Sequence, residues 1–379
     1  MKIALIYNLR PAQATMPAWP DDLYAEWDEP ETIAAVQAAL ATAHEVVLIE
    51  NNSEVEAGLR ASAPDIVFNM AEGLSGPDRE AHIPALLERW GIPFTGSSAR
   101  TLRTCLDKAA TKRVLQQHGL PTPAYAVLSC ADRLPELPAF PLIVKPVHEG
   151  SSKGIEPAAL VQTRAALQAR VAYVLATYRQ PALVEAFVPG REFTVALLGN
   201  GAEVTVLPLV EICFAALPPG ALPLYSYAAK WLWDTPEHAL DILRCPTALP
   251  ADLARLITDL CRRAFLALEC RDWCRIDVRL DTSGQPQILE LNPLPGILPN
   301  PQSHSCFPKA AAAANLSYAA LIHRVLAHAC QRYRLPLPAN NAPHPNSLPG
   351  GEGTGAEEQG ARWPATPGAN DAGRLAAQP

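Results

Sequence analysis

Ile276-Asp277-Val278-Arg279, then Asp281-Thr282-Ser283-Gly284, then Gln287-Ile288-Leu289-Glu290-Leu291-Asn292-Pro293: this run decides how the chain is read. Alternating apolar residues mark two β-strands, and the Asp-Thr-Ser-Gly stretch supplies the turn between them. Side chains along a strand alternate between faces, so Asp277 shares a face with Arg275, and Glu290 shares one with Asn292. Antiparallel pairing then gathers Asp277, Glu290 and Asn292 into a cluster of hard oxygen ligands. Such a partial cage suits Mg2+, which completes its octahedron with water and nucleotide phosphates. The competing reading is a plain amphipathic hairpin with its polar residues in solvent. The surrounding sequence separates the two.

Upstream, residues 140–146 form a strand that ends in Lys145 and opens into Val147-His148-Glu149-Gly150-Ser151-Ser152-Lys153-Gly154. Glycines on either side of two serines let backbone N–H groups converge on an anion, with the hydroxyls as extra donors. Alone, the loop reads as an ordinary flexible connection. The preceding strand lysine, a point charge suited to phosphate, raises the phosphate reading. The pattern is not a P-loop, since no Gly-Lys-Ser/Thr follows a four-residue gap. Before it, residues 102–118 read as one helix bearing Lys108 and Lys112, stopped by Gly119 and Pro121. After it, residues 182–188 form a buried strand interrupted by Glu185. Pro189-Gly190-Arg191-Glu192-Phe193 then turns into a strand whose hairpin closes at Asn200-Gly201. Acids beside a strand edge make a plausible adenine and ribose site, with Glu185 toward the exocyclic amine and Glu192 toward the sugar.

The first hundred residues alternate short β-rich runs, at 3–7, 45–49, 65–69 and 92–95, with helical spacing at 31–43, 54–61 and 79–90. Repeated β-α-β units imply a parallel sheet covered by helices on both faces. No Gly-x-Gly-x-x-Gly turn follows the first strand, which disfavours a dinucleotide enzyme. A chain of 379 residues, 49% hydrophobic, is large enough for two or three domains. Its net charge of -7 is mild and argues against a nucleic-acid partner. No apolar run approaches the roughly 18 residues of a membrane span, and the N-terminal run is too short for a signal peptide. The nine cysteines lack framework spacing, which favours reduced thiols and a cytoplasmic protein. Cys270 and Cys274 have no second pair or histidine couple nearby, which disfavours a zinc site.

Lys145, Glu149-Gly150-Ser151-Ser152-x-Gly154, Glu185-x-x-Val188, Glu192-Phe193-Thr194-Val195, Arg275-Ile276-Asp277 and Glu290-Leu291-Asn292-x-Leu294-Pro295-Gly296 stand in the order seen in ATP-grasp ligases. The chain resembles the D-alanine–D-alanine ligase family over roughly residues 1–334. Leu106-Asp107-Lys108-Ala109-Ala110-Thr111-Lys112 and the Phe307-Pro308 helix are similar to that family too. The resemblance implies an α/β ATP-grasp fold. Its parts are an N-terminal Rossmann-like parallel domain at 1–97, a central α+β domain at 98–188, and a C-terminal α+β domain with an antiparallel sheet at 189–334. It implies ATP and two Mg2+ ions, with Mn2+ as a substitute, and a role in peptidoglycan and cell-wall synthesis. By the family pattern Lys108 and Lys145 bind phosphates, and Ser151 sits with Glu149, Gly150 and Ser152 in the lid over them. Glu185 and Val188 line the adenine hinge, and Glu192 takes the ribose. Asp277, Glu290 and Asn292 hold the metals, and Lys230 rides a mobile loop over the γ-phosphate. Arg275 and the Gly296 N–H stabilise an oxyanion, and Ser305 meets the second substrate's carboxylate. The expected partners are small amino acids, with neither nucleic acid nor membrane insertion, and the family precedent is a homodimer.

The departures fall on the amino-acid pockets. Where the family opens with Gly-Gly-x-Ser and a glutamate, this chain has Asn8-Leu9-Arg10-Pro11 and a long insert, leaving Glu26, Glu29 and Glu31 as alternatives. Trp231 replaces the tyrosine after the loop lysine and cannot act as a phenol's acceptor. Residues 69–76 read Asn-Met-Ala-Glu-Gly-Leu-Ser-Gly in place of the family's His-Gly-x-x-Gly-Glu-Asp-Gly, and residues 298–302 are inserted before Ser303-His304-Ser305. His148 and His304 are weighed as substrate contacts against structural roles, and Trp233 is read as packing. Residues 335–379, rich in Pro, Ala, Gly and Asn, read as a disordered tail. The leading function is D-Ala–D-Ala ligation through an acyl phosphate. The alternatives are a ligase for another amino-acid pair, from peptidoglycan variation or secondary metabolism, and a catalytically degenerate ATP-binding module.

Overall fold

The computed structural model describes residues 1–11, 22–132, 134–234, 240–300 and 305–336. The expected tail beyond residue 336, residues 12–21 of the N-terminal insert, and Ser303-His304 lie outside the described residues.

Three parallel strands open the chain: β1 (Lys2–Tyr7), β2 (Glu45–Glu50) and β3 (Ile66–Asn69), in the order β2-β1-β3. The helices α1 (Pro30–Ala41), α2 (Val55–Ser62) and α3 (His82–Trp90) connect and follow them. Residues buried on both faces of β1 account for its unbroken apolar run, as in a sheet covered on two sides. Ile3 and Leu5 join Ile33, Val36 and Leu40 of α1, while Ala4 and Ile6 join Leu59 and Leu87 on the other face. The strand expected at 92–95 contracts to one bridge between Val67 and Phe94. Pro93 has no N–H to give the ladder, and Gly96 turns the chain away at φ 89°.

The single helix expected at 102–118 is two, α4 (Ala99–Leu106) and α5 (Lys108–Gln117). Asp107 breaks it: its backbone is extended at φ -77°, ψ 97°, and its carboxylate accepts from the Ala110 N–H at 2.8 Å. An Asp prefers capping a helix to sitting inside one. The break starts α5 at Lys108.

A second sheet orders β4 (Tyr125–Leu128), β7 (Ala182–Ala186), β5 (Leu142–Pro146) and β6 (Leu160–Val161), all antiparallel, and α6 (Arg164–Tyr178) covers one face through Leu167, Val171 and Val174. A third antiparallel sheet runs β11 (Leu243–Arg244), β10 (Val210–Ile212), β8 (Glu192–Gly199), β12 (Asp272–Leu280), β13 (Pro286–Asn292), with β9 (Thr205–Val206) beside β8. Helix α7 (Ala251–Ala267) packs on one face through Ile257, Cys261 and Phe265. Helices α8 (Cys306–Ala313) and α9 (Tyr318–Tyr333) pack Phe307, Leu321 and Val325 into the core that also holds Trp273 and Phe68. All nine cysteines are free thiols. Among the described residues no helix is long and apolar enough to cross a membrane.

Candidate active site

The hairpin read first from the sequence builds the floor of a cleft between the second and third sheets. In β12 and β13 Arg275 pairs with Asn292 and Asp277 with Glu290, but Val278 pairs with Ile288. Leu289 is thus an extra residue, a β-bulge of the kind that re-aims side chains beside functional sites. The bulge turns both Leu289 and Glu290 into the cleft while Ile288 and Leu291 stay in the core. The alternation of β12 does the same for Arg275, Asp277 and Arg279, with Ile276 and Val278 buried behind.

The carboxylates are tightly held. Arg275 donates to both oxygens of Asp277 at 3.1 and 3.0 Å. The Asn292 amide lies 3.4 Å from both Asp277 Oδ2 and Glu290 Oε1. Lys108 Nζ stands 3.2 Å from Glu290 Oε2 and also donates to the Glu149 carbonyl. Burial opposes the charge on Glu290, but Lys108, Lys145 and Arg275 outweigh it and hold this carboxyl well below its usual range. Burial and the neighbouring Glu290 push Asp277 up against the pull of Arg275. The two acids and Asn292 gather oxygen atoms at one spot, a donor set that fits a hard cation such as Mg2+.

Lys145, Gly150, Ser151, Ser152, Glu149, Glu192 and Lys230 line the same cleft, which encloses about 940 Å3 including the part open to solvent. Ser151 and Ser152 take left-handed backbone at φ 48° and 63°. Residues 225–233 are stitched to this loop. Ser152 Oγ donates to the Tyr225 carbonyl at 2.8 Å, and the Trp231 indole N–H donates to the Ser151 carbonyl at 3.2 Å. Trp231 thus acts as a donor where a phenol was expected. Lys230 Nζ lies 3.5 Å from Ser151 Oγ. Burial and Arg275 push its ammonium down to about 8.

Glu185 and Val188, expected at an adenine hinge, stand on and just after β7 and are not among the residues that line the cleft. The Glu185 carboxylate sits between Lys112 at 2.7 Å and Lys145 at 2.5 Å. Glu192 does line the cleft, with Arg279 at 3.2 Å. Burial pushes its carboxyl up to about 7, and Asp277 and Glu290 add to the rise while Arg279 opposes it. His148 faces Asp107 at 3.8 Å and lines neither cavity described here. Trp233 packs against the core, as read.

A second cavity adjoins the first. Gly150, Ser151, Lys230, Arg275 and Cys306 line both, and Asn292, Gly296 and Ser305 line the second. Ser305 Oγ donates to the Gly296 carbonyl at 3.0 Å. Of the three glutamates left open by the sequence, Glu26 is the one in this cavity; Glu29 pairs with Arg10 at 2.9 Å. Glu26 accepts from Arg79 at 2.9 and 2.8 Å, from the Gly150 N–H at 2.9 Å, and pairs with Lys153 at 2.6 Å. A Cβ at Gly150 would run into Glu26 Oε1, so only glycine lets the loop lie against this carboxylate. Burial opposes its charge, but Arg79 and Lys153 prevail and hold it at about 2. The sequence reading missed Arg79, Lys153 and the acids Asp28, Glu72 and Glu80. Their partners lie far along the chain, and no motif spacing links them.

A family model described as D-ala D-ala ligase C-terminus matches residues 114–327. A D-alanine–D-alanine ligase of Bordetella avium is 37% identical over 310 residues, covering 81% of this chain and 90% of that protein. A D-alanine–D-alanine ligase of Chromohalobacter salexigens is 40% identical over 272 residues, covering 71% and 79%. Protein y4sG of Sinorhizobium fredii, described as uncharacterized, is 38% identical over 323 residues, covering 83% and 90%. In fold, the chain is similar to the Bacillus anthracis D-alanine–D-alanine ligase solved with ATP. There the TM-score is 0.65 at 22% identity, covering 88% of this chain and 99% of that one.

Proposed function

This chain belongs to the D-alanine–D-alanine ligase family and is an ATP-dependent ligase that forms a carbon–nitrogen bond, and on that premise we propose how its two joined cavities divide the work. The first takes ATP and the second takes two amino acids. D-alanyl-D-alanine is the product to which the relatives' names point. The observation that carries the proposal is the shared wall: Ser151, Lys230 and Arg275 face both cavities, where a phosphate and a carboxylate must meet.

A carboxylate does not acylate an amine in water, because an oxide-like oxygen is a poor leaving group. In the first step a carboxylate oxygen of one amino acid forms a bond to the γ-phosphorus of ATP. The bond from that phosphorus to the bridging oxygen breaks, and ADP leaves. In the second step the amine of the other amino acid attacks the acyl carbon. The tetrahedral intermediate collapses, phosphate leaves with one oxygen of the original carboxylate, and the amine nitrogen loses a proton. The protein does little covalent chemistry here; it positions groups and spreads charge. Lys108, Lys145 and Lys230 face the phosphates, with Ser151 and Ser152 in the loop above them and Glu192 at the ribose. Asp277, Glu290 and Asn292 are the residues that would hold Mg2+, two ions by the family precedent, or Mn2+. Bound there, the cation offsets the phosphate charge. Arg275 and the Gly296 N–H stabilise the oxyanion, a type of contact typically worth about 3 kcal/mol. The contacts that stitch 225–233 to the phosphate loop keep water from the acyl phosphate.

The test uses an amino acid labelled with 18O in its carboxylate, supplied with Mg-ATP. The expected result is amino-acid-dependent ADP release with one 18O atom in each released phosphate. Unlabelled phosphate alongside a dipeptide product would exclude the acyl phosphate. ADP release that persists in Asp277→Asn and Glu290→Gln would exclude the metal assignment.

A further inference from the structure

Arg279 belongs to the stretch that decides the fold, yet neither chemical step calls on it. On β12 it stands opposite Glu192 of β8 in the antiparallel register, so the two side chains share one face of the sheet. Both line the first cavity. Arg279 is only 4% exposed, and its donors go to three different segments. Nη1 donates to Glu192 Oε2 at 3.2 Å, Nε to the Gly190 carbonyl at 3.1 Å, and Nη2 to the Pro223 carbonyl at 2.9 Å. The rings of Phe187 and Phe214 each lie 4.8 Å from its guanidinium carbon. A planar, weakly hydrated cation suits such a setting, and the single nitrogen of a lysine could not reproduce the fork.

These contacts do more than pack the sheet. The Gly190 turn is held without them: its N–H donates to the Leu280 carbonyl at 2.9 Å, and a Cβ at Gly190 would run into that carbonyl. What the side chain adds is a fixed Glu192. Arg279 takes Oε2, and among the described residues no hydrogen bond engages Oε1. Burial pushes the Glu192 carboxyl up to about 7; Arg279 opposes this most, Asp277 and Glu290 add to the rise, and Lys145 is the other opposing charge. An ionised acceptor makes a hydrogen bond roughly twice as strong as a neutral one. The contact at Pro223 lies two residues before Tyr225, whose carbonyl Ser152 holds. One guanidinium therefore joins Glu192 to the base of the segment stitched to the phosphate loop.

We infer that Arg279 is a positioning residue for the nucleotide's sugar: it holds Glu192 by one oxygen, leaves the other for the ribose hydroxyls, and so sets a preference for ribonucleotide over deoxyribonucleotide. This rests on the ligase reading, which puts ATP in the first cavity, and deepens it by assigning the selection of the sugar. Arg279 itself touches no reacting atom.

The experiment titrates ATP, 2′-deoxy-ATP and 3′-deoxy-ATP, each with Mg2+, into the full-length protein by calorimetry, and follows ADP release with alanine separately. Wild type should bind ATP at least tenfold more tightly than one of the deoxy forms. Arg279→Met should narrow that ratio at least fivefold and raise KM for ATP by a larger factor than it lowers kcat. The variant strands no charge, because Glu192 takes up a proton; should it fail to fold, Arg279→Lys keeps the charge, loses the fork and should narrow the ratio as well. In Glu192→Gln, where the ratio is already narrow, adding Arg279→Met should change it less than twofold. A merely structural role would weaken all three nucleotides alike. Equal binding of the three by wild type, or an unchanged ratio in the Arg279 variants, would overturn the inference, and ADP release would leave the ligase reading intact. The expected ratios with no ADP release would support the inference and count against the reaction.

Discussion

Replacing Glu185 with glutamine separates a structural role from an adenine-binding one. Its carboxylate is 1% exposed and lies 2.7 Å from Lys112 and 2.5 Å from Lys145. Lys112 is fully buried, and among the described residues its Nζ also donates to Thr122 Oγ1 at 2.8 Å. Removing one partner from a buried ion pair costs about 3–5 kcal/mol, because the remaining charge is left without compensation. Urea unfolding of Glu185→Gln at pH 7 should show a loss in that range. Burial already pushes the Lys112 ammonium down against the pull of Glu185. With that pull gone, the folded state holds Lys112 neutral while the unfolded chain keeps it charged, so stability should rise with pH from 7 to 10. Adding Lys112→Met to Glu185→Gln removes the stranded charge and should recover about 2 kcal/mol or more, read as non-additivity in the double-mutant cycle. The KM for ATP should rise about tenfold in Glu185→Gln, since Lys145 loses its anchor. A variant within about 1 kcal/mol of wild type whose defect is a changed preference among purine bases would refute this and return Glu185 to the adenine.

Two further outcomes follow from the pockets. Lys230 is a cation only below its value of about 8, so kcat/KM for ATP should fall as pH rises through 8, and Lys230→Arg should move that fall beyond pH 10; an unchanged limb in the variant would clear Lys230 of the phosphate contact. Burial pushes Glu80 up to about 7, with Glu26 adding and Arg79 opposing; against an ordinary 4.5, at about 1.4 kcal/mol per pH unit, its ionisation costs the ligand-free fold about 3 kcal/mol above pH 7. Stability of that form should therefore decline between pH 4.5 and 7, and Glu80→Gln should flatten the decline; equal slopes in urea unfolding would remove Glu80 as its source.

The hairpin was legible because a period of two and a four-residue turn leave few registers. Asp277 and Glu290 are paired where the alternation puts them. The bulge at Leu289 was not legible, since an extra residue in an apolar strand leaves no mark on composition. Asp107 was readable as a cap from Leu106-Asp107-Lys108, yet the helical spacing on either side overrode it. Lys145 was found as a strand-end lysine. Its pairing with Glu185 was not legible, because strand periodicity says which face a carboxylate takes, not which cation stands beside it. Glu26 and its cations are the hardest case. The Gly150 N–H reaches Glu26 across 124 positions, and Arg79 reaches it across 53, from loops without periodicity.

The charges of the two cavities also account for orientation. The first cavity, where the proposal places the phosphates, gathers Lys108, Lys145, Lys153 and Lys230, with Arg275 at the junction. The far end of the second gathers Glu26, Asp28, Glu72 and Glu80. An amino acid entering between them is a dipole. With its carboxylate toward Arg275 and its ammonium toward the acids, both ends are stabilised; reversed, each charge meets its like. At about 4 Å and an effective dielectric near 20, a unit like-charge contact at the Arg275 end would cost about 4 kcal/mol. That difference favours the pose in which the carboxylate meets Arg275, beside the proposed γ-phosphate position. In the proposed mechanism Arg275 is the hinge of this arrangement, because it would face the acyl oxygen while neutralising Asp277 at 3.0 Å. Arg275→Met would therefore remove a donor and also unbalance the metal ligands, and kcat should fall further than the loss of one oxyanion donor explains. Arg275→Lys separates the two effects: the charge beside Asp277 remains while the bidentate donor geometry is lost. Partial recovery of kcat with an ordinary Mg2+ requirement would assign the larger share to charge balance.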